Sequence, residues 1–203
     1  MKEKKEQTTH DSERAIQRRN QVLDAALICF RLHGFHGASM AQISKEAGMS
    51  PGHIYHYFQN KEAIISAIVE RDAHEMTEWT DSFMASDNML ATMIDEIPSG
   101  IEANCCQNTA ALMLEIMAES ARNPTIASII KQHKADGRER LLKLLQMEMA
   151  QRQGSSEQDL MAKVELICAM FDGLLMRATY RSDEDNAKLA ELMKKVMHYL
   201  LTV

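Results

Sequence analysis

Residues 34–62 read GFHGASMAQISKEAGMSPGHIYHYFQNKE, and local signals divide this run into two short helices joined by a tight turn. Ser39 is an N-cap residue and Gln42, three positions on, completes a capping box, which predicts a helix from Met40 that buries Ile43 and Ala47. Gly48 ends it, because glycine takes the left-handed conformation a compact turn needs. Ser50 and Pro51 then supply an N-cap and a proline at the first helical position, so a second helix begins at once. Ile54 and Phe58, four apart, face inward and leave Gly52, His53, Tyr55, His56 and Tyr57 facing outward or sideways. Such a pair makes a helix-turn-helix, whose second helix can enter the roughly 12 Å major groove of DNA. Gly52 would let the helix approach the duplex, Tyr55, Tyr57 and Lys61 would meet phosphates, and His53 and His56 would reach base edges. Ser39, Met40, Ser50 and Pro51, at the two helix starts, complete the candidate DNA-binding set. The same pattern also fits an αα-hairpin inside an ordinary helical domain, with the tyrosines half-buried.

Gly34-Phe35, the run from Ile43 to Ser50, then Gly52, Ile54-Tyr55, Tyr57-Phe58 and Lys61-Glu62 resemble the DNA-binding domain of the TetR family of bacterial repressors. The resemblance covers residues 16–76 and is loose beyond them. It implies an N-terminal helix-turn-helix domain, a fourth helix that transmits ligand binding to it, and a C-terminal domain that dimerises. Met170-Phe171-Asp172-Gly173-Leu174 resembles the family's dimer helix, and residues 119–124 look familiar from its regulators without specifying a ligand.

The rest of the chain sets consistent bounds. Its 203 residues, 45% hydrophobic and 26% charged, with three prolines and 5% aromatics, predict a globular all-α protein. No apolar run approaches a membrane span and the N-terminus lacks a signal segment, so a cytoplasmic location is expected. Cys29, Cys105, Cys106 and Cys168 have neither disulfide-framework nor metal-ligand spacing and read as reduced thiols; a sensing role for the vicinal Cys105-Cys106 stays open. No metal site and no cofactor is expected. The net charge of −6 divides unevenly: residues 1–61 hold nine Lys/Arg against six Asp/Glu, and residues 62–203 hold fourteen against twenty-three. The basic excess, with five of the eight histidines, sits with the helix-turn-helix, where phosphate binding needs it.

In chain order, residues 1–15 read as a flexible polar arm in which Lys2, Lys4 and Lys5 alternate with acids. A helix over residues 12–33 follows, with Leu23, Ala26, Leu27 and Phe30 as its core stripe. Past the helix-turn-helix, Asn60 caps a long helix to about Phe83, whose stripe of Ile65, Ile68, Asp72, Met76, Trp79 and Phe83 runs from one domain into the next. Residues 77–203 read as five further helices, about nine in all. Pro98-Ser99-Gly100 would break the first of them, and Ser155 with Gln158 would box the start of the fourth. The last two have wide apolar faces, which calls for a partner. Val164, Cys168, Phe171, Leu175, Ala178, Leu189, Met193 and Val196 are the expected homodimer interface, closing a four-helix bundle.

Thirteen of sixteen methionines follow Lys61, and flexible, polarizable methionine suits an irregular apolar ligand site as well as ordinary gap-filling. Trp79, Phe83, Met89, Met93, Met113, Met117, Met147, Met170 and Met176 are candidate lining, with Asp95, Glu96, Glu115, Glu119 and Asp172 as possible counter-charges to a cation. No zinc-protease, nucleophile-elbow or phosphate-loop motif is present, so an enzyme is not expected. The function expected is a repressor that binds a pseudo-palindromic operator as a dimer and is released by a small apolar or cationic-amphiphilic molecule. A ligand-independent structural or division-associated DNA binder, a role known for some relatives, is the alternative.

Overall fold

The computed structural model describes residues 2–105, 107–149, 156–180 and 186–202, with side chains described over residues 13–103, 110–148, 156–180 and 186–202. These residues form ten helices and no strand: α1 (Lys2–Gly37), α2 (Met40–Glu46), α3 (Pro51–Tyr57), α4 (Lys61–Met84), α5 (Met89–Asp95), α6 (Ile97–Cys105), α7 (Gln107–Ser120), α8 (Pro124–Met149), α9 (Glu157–Ala178) and α10 (Asn186–Thr202). Most starts are set by the caps legible in the sequence. Asn60, Asn88 and Asn123 each accept a hydrogen bond from a backbone N–H two or three residues on, at 2.8, 3.1 and 3.1 Å.

Three boundaries differ from expectation. Helix α1 begins at Lys2, so residues 2–15 continue it instead of forming a separate arm; the run lacks Gly and Pro and is rich in straight-chain Lys, Glu, Gln and Arg. Pro98 does not break a helix. It lies in the first turn of α6, where its missing N–H is not needed, and Gly100 N–H still donates to Glu96 O at 3.0 Å. The extra helix raises the count from nine to ten among the described residues. Finally, the box at α9 is Ser156 with Asp159, one position later than expected. The Ser156 hydroxyl at 2.6 Å and its backbone N–H at 3.2 Å both donate to the Asp159 carboxylate and hold its pKa below the ordinary 3.8. That capping contribution is present at neutral pH and is lost as acid protonates the group.

The helices group into two compact units, Met1–Val69 with Glu115–Ala127, and Glu70–Leu114 with Ser128–Val203. The division falls at Val69, earlier than the expected boundary at residue 76, and it is discontinuous in sequence. Helices α4 and α7 each contribute to both. In the first unit Val22, Leu23, Ala26 and Phe30 of α1 are buried with Ile43, Ile54, Phe58, Ile64 and Ile65, and α7 and α8 add Ile116 and Ile126. In the second, α6 packs on α9 and α10, and α5 on α6 and α10. Phe83, Leu90, Ile97, Ile101, Leu144, Leu145, Leu160, Val164, Ile167 and Leu174 lie in one core there. Each such side chain contributes about 1.5–3 kcal/mol by leaving water. The α4 stripe is not continuous: Ile65, Ile68 and Phe83 are buried, Trp79 is half-buried, and Asp72 and Met76 are exposed. From α8, His133 lies 3.3 Å from Asp72 and Arg140 donates to Ala73 O at 3.3 Å.

Gly100 is closely packed in the second unit, since a Cβ there would lie 3.3 Å from Phe171 Cε1 and 3.5 Å from Trp79 Cη2. Gly100→Val is expected to destabilise the protein by about 1–3 kcal/mol through overpacking. Denaturant unfolding of this variant beside Gly137→Ala, whose Cβ would meet nothing within 4 Å, measures the difference.

Candidate nucleic-acid interface

Helices α2 and α3 are joined by residues 47–50, and every expected capping bond is made. Ser39 Oγ accepts from Gln42 N at 3.2 Å while Gln42 Oε1 accepts from Ser39 N at 2.8 Å. Gly48 adopts φ 61°, the left-handed conformation expected of it. Buried Ser44 donates to Met49 O at 2.6 Å, which ties the turn from within. Ser50 Oγ accepts from His53 N at 3.3 Å and Pro51 opens α3. Ile54 and Phe58 face the core, and Arg19 lies 5.4 Å above the Phe58 ring.

This arrangement leaves one face of α3 in solvent. Pro51, Gly52, His53, Tyr55 and His56 are exposed, as are Ser39 and Ser50, while Met40 and Tyr57 are half-buried. A Cβ on Gly52 would meet nothing within 4 Å, so the bare backbone there serves no packing need of the protomer. His53 and His56 both lie against Tyr57, with ring centroids 5.4 and 5.3 Å apart.

Lys61 is placed differently from expectation. Its ammonium donates to the carbonyls of Phe35 and, at 2.8 Å, of Ala38, with the His36 carbonyl at 3.5 Å, and it lies 4.5 Å from the Phe35 ring centroid. Its protons are spent on the carbonyls that end α1, so the structure gives it a clamping role in place of the expected phosphate contact. The turn it clamps is a second left-handed glycine, Gly34 at φ 69° and ψ 168°, which interrupts α1. Two carboxylates of α7 hold the other side. Glu115 Oε1 accepts the Phe35 N–H at 2.9 Å, and buried Glu119 lies 2.7 Å from His36 Nε2 and 3.7 Å from Arg122. Glu115 and Glu119, read from sequence as candidate pocket charges, therefore belong to the support of the helix-turn-helix.

Residues 22–68 match the family described as bacterial regulatory proteins, tetR family, and residues 89–202 match the one described as BetI-type transcriptional repressor, C-terminal. The chain belongs to the TetR family of bacterial transcriptional regulators. The HTH-type transcriptional regulator UidR of Escherichia coli (strain K12) is 37% identical over 113 residues, 56% of this chain and 57% of UidR. The chain thus spans little more than half the length of that curated relative. The HTH-type transcriptional regulator BetI of Serratia proteamaculans (strain 568) is 30% identical over 168 residues, 81% of this chain and 82% of BetI. The solved structure of Salmonella enterica GusR is similar over 92% of this chain and 94% of its own, at 27% identity and a TM-score of 0.75. The tetR-family match over residues 22–68 contains both helices of the helix-turn-helix, α2 and α3.

The remaining candidates scatter. Trp79, Phe83, Met89, Met93 and Met170 do converge on the core of the second unit, with Trp79 and Phe83 rings 4.7 Å apart. Met113 packs instead with Ala110, Leu175 and Ala178, and Met117, Met147 and Met176 are exposed. Asp95 pairs with Lys194 and Asp172 with Lys134. Of the expected interface, Val164, Leu175, Ala178 and Met193 are buried within the protomer, and Cys168, Phe171 and Leu189 pack against its core. Val196 alone of that set is exposed. Sequence periodicity found the apolar stripe of α9 but assigned it to the wrong neighbour, because an intramolecular core and an interface have the same spacing. Burial raises the pKa of Cys168, Asp172 and Glu165 add to the rise, and Lys134 and Arg138 oppose it, so this thiol is a poor nucleophile. Cys105 and Cys106 lie outside the described side chains.

Gly34→Ala combines a strained left-handed backbone with a Cβ only 2.7 Å from Glu115 Oε1. A loss of about 1–3 kcal/mol is expected, whereas Gly37→Ala, whose Cβ would meet only His33 Cβ at 3.5 Å, should be nearly neutral. Lys61→Ala should also destabilise, by about 1.5–3 kcal/mol for charge-assisted bonds. Thermal unfolding measures all three, and a fully stable Lys61→Ala would return that residue to the list of phosphate contacts.

Proposed function

We propose that this protein is a repressor that binds a pseudo-palindromic operator as a homodimer, in the cytoplasm, and is released by an apolar small molecule. The observation that carries the reading is the exposed face of α3, where Gly52, His53, Tyr55 and His56 stand on a turn whose own bonds are complete. Such a surface has donors and ring nitrogens for phosphates and base edges, and one helix reads only a few base pairs, which makes two-fold symmetry advantageous. BetI-type repressors, the family matched by residues 89–202, support repression as the mode of action.

For the dimer, the interface we propose keeps Val196 from the set that periodicity picked out and otherwise uses a different face of α9. Ala162, Leu166, Ala169, Gly173 and Met176 are all exposed on α9 at spacings of four and three, Tyr180 is exposed just past its end, and Leu192, Val196 and Tyr199 are exposed on α10. The small residues Ala162, Ala169 and Gly173 on this face let two helices approach closely, and a Cβ on Gly173 would meet nothing within 4 Å in the protomer. For the ligand, the aromatic and methionine residues around Trp79 support an apolar compound. Of the five carboxylates weighed as cation partners, Asp95, Asp172, Glu115 and Glu119 are engaged elsewhere, and half-buried Glu96 is the one left as a candidate.

Selection from a random duplex pool should enrich a pseudo-palindrome that the protein binds with a steep salt dependence. Gly52→Ala should leave thermal stability unchanged or slightly higher while weakening the enriched duplex, because the added methyl meets only the DNA. Enrichment of no duplex would sink the reading, and many dispersed genomic sites would favour the structural DNA binder. Leu166→Glu should give folded monomers by sedimentation, whereas Leu175→Glu, buried in the protomer, should unfold it at a cost of several kcal/mol. A folded Leu166→Glu dimer would reject the α9 face.

A further inference from the structure

We propose that Tyr57 is a positioning residue for sequence reading: its ring braces the imidazoles of His53 and His56 and so directs their nitrogens toward base edges. This deepens the reading of α3 as the recognition helix and rests on it. Among the aromatic and histidine side chains of α3, Tyr57 is half-buried while His53, Tyr55 and His56 are exposed. Its ring centroid lies 5.4 Å from that of His53, with the planes inclined at 47°, and 5.3 Å from that of His56, with the planes at 79°. The two contacts arise differently. His53 stands one helical turn earlier on the same face, so the periodicity of α3 stacks the pair, whereas neighbouring His56 meets the ring edge-on, a favourable arrangement of the aromatic quadrupoles.

The backbone beneath the ring is fixed, because Phe58 N–H donates to Ile54 O at 3.0 Å and the Phe58 side chain is buried. The Tyr57 ring is thus a half-buried surface on a fixed backbone that meets both exposed imidazoles. That matters for base reading in a way it does not for phosphate binding. A phosphate contact needs a donor within reach, whereas a base-edge bond needs a donor or acceptor aimed along one direction, and the two nitrogens of an imidazole differ in which they offer. An unbraced surface histidine samples several rotamers and must be ordered on binding. A braced one meets the duplex already aimed, so the brace acts on discrimination between sequences more than on general affinity for DNA.

The test uses the full chain, the duplex it enriches from a random pool, single-base-pair variants of that duplex, and a random-sequence duplex. Tyr57→Leu removes the ring and keeps an apolar side chain. It is expected to reduce, by about tenfold, discrimination at the base pairs whose preference is also relaxed by His53→Ala or His56→Ala. Affinity for random-sequence DNA should fall by much less, and adding His53→Ala and His56→Ala to Tyr57→Leu should cost no further discrimination. Tyr57→Phe, which restores the ring without the hydroxyl, should rescue the base preference. Circular dichroism and thermal unfolding check that each variant is folded, and if Tyr57→Leu is not, Tyr57→Met is read in its place against Tyr57→Phe. The proposal is overturned if Tyr57→Phe and the ring-free variant weaken all duplexes by the same factor, which is the signature of a hydroxyl on a phosphate. Unchanged discrimination in the ring-free variant, or in both histidine variants, overturns it equally. Failure of the unmodified protein to enrich any duplex is a separate outcome that removes the recognition-helix reading itself and this inference with it.

Discussion

The positive-φ turn at Gly34 is the constraint on which the first unit depends. Gly34 kinks α1 at φ 69°, a conformation that L side chains rarely adopt, and a Cβ there would lie 2.7 Å from Glu115 Oε1. The kink interrupts the helical hydrogen bonding of the backbone groups beside it. Glu115 supplies an acceptor to the Phe35 N–H and Lys61 supplies donors to the Phe35 and Ala38 carbonyls, so the turn is satisfied by one acid and one base from distant parts of the chain. Charge-assisted bonds of this kind are about twice as strong as neutral ones, and they replace what the interrupted helix has lost.

Those partners are contributed by α7 and α4, and both helices run on into the second unit. The reading motif itself is assembled from local bonds, namely the Ser39–Gln42 box, the Ser44–Met49 tie and the Ser50 cap. Its mounting is assembled from long-range ones, including Asn123 to Glu62 at 3.3 Å and His36 with Glu119. Local bonds keep α2 and α3 a rigid pair, while the long-range set decides what holds that pair in place. The buried carboxylate of Glu119 lies 2.7 Å from His36 Nε2 and 3.7 Å from Arg122.

The second unit follows another logic. Its core is built from Phe83 of α4 with aliphatic side chains and methionines of α5, α6, α8, α9 and α10, and Trp79 and Phe171 lie against Gly100. Ion pairs from Lys134 to Asp172 and from Arg138 to Glu165 cross from α8 to α9 at its surface and contribute little each. What distinguishes the surface is the apolar seam on α9, exposed along several turns where a solvated helix would carry charge.

By itself the sequence determined the all-α class, the two helices of the reading motif with their caps, the left-handed glycine between them, and the outward set on α3. All of these rest on interactions within about four residues, which the order of residues states directly. Only the tertiary structure decided the work of Lys61, Glu115 and Glu119, because a charged side chain has the same signature whether it meets a phosphate, a ligand or a backbone group far along the chain. It also decided which side of α9 is core. Val164, Leu175 and Ala178 on one side and Leu166, Gly173 and Met176 on another share the same helical period, and periodicity shows that a face is apolar without showing what covers it. Pro98 carries the same lesson in the backbone: a proline ends one helix or begins the next according to where the preceding helix stops, and packing of α5 and α6 against α10 sets that point.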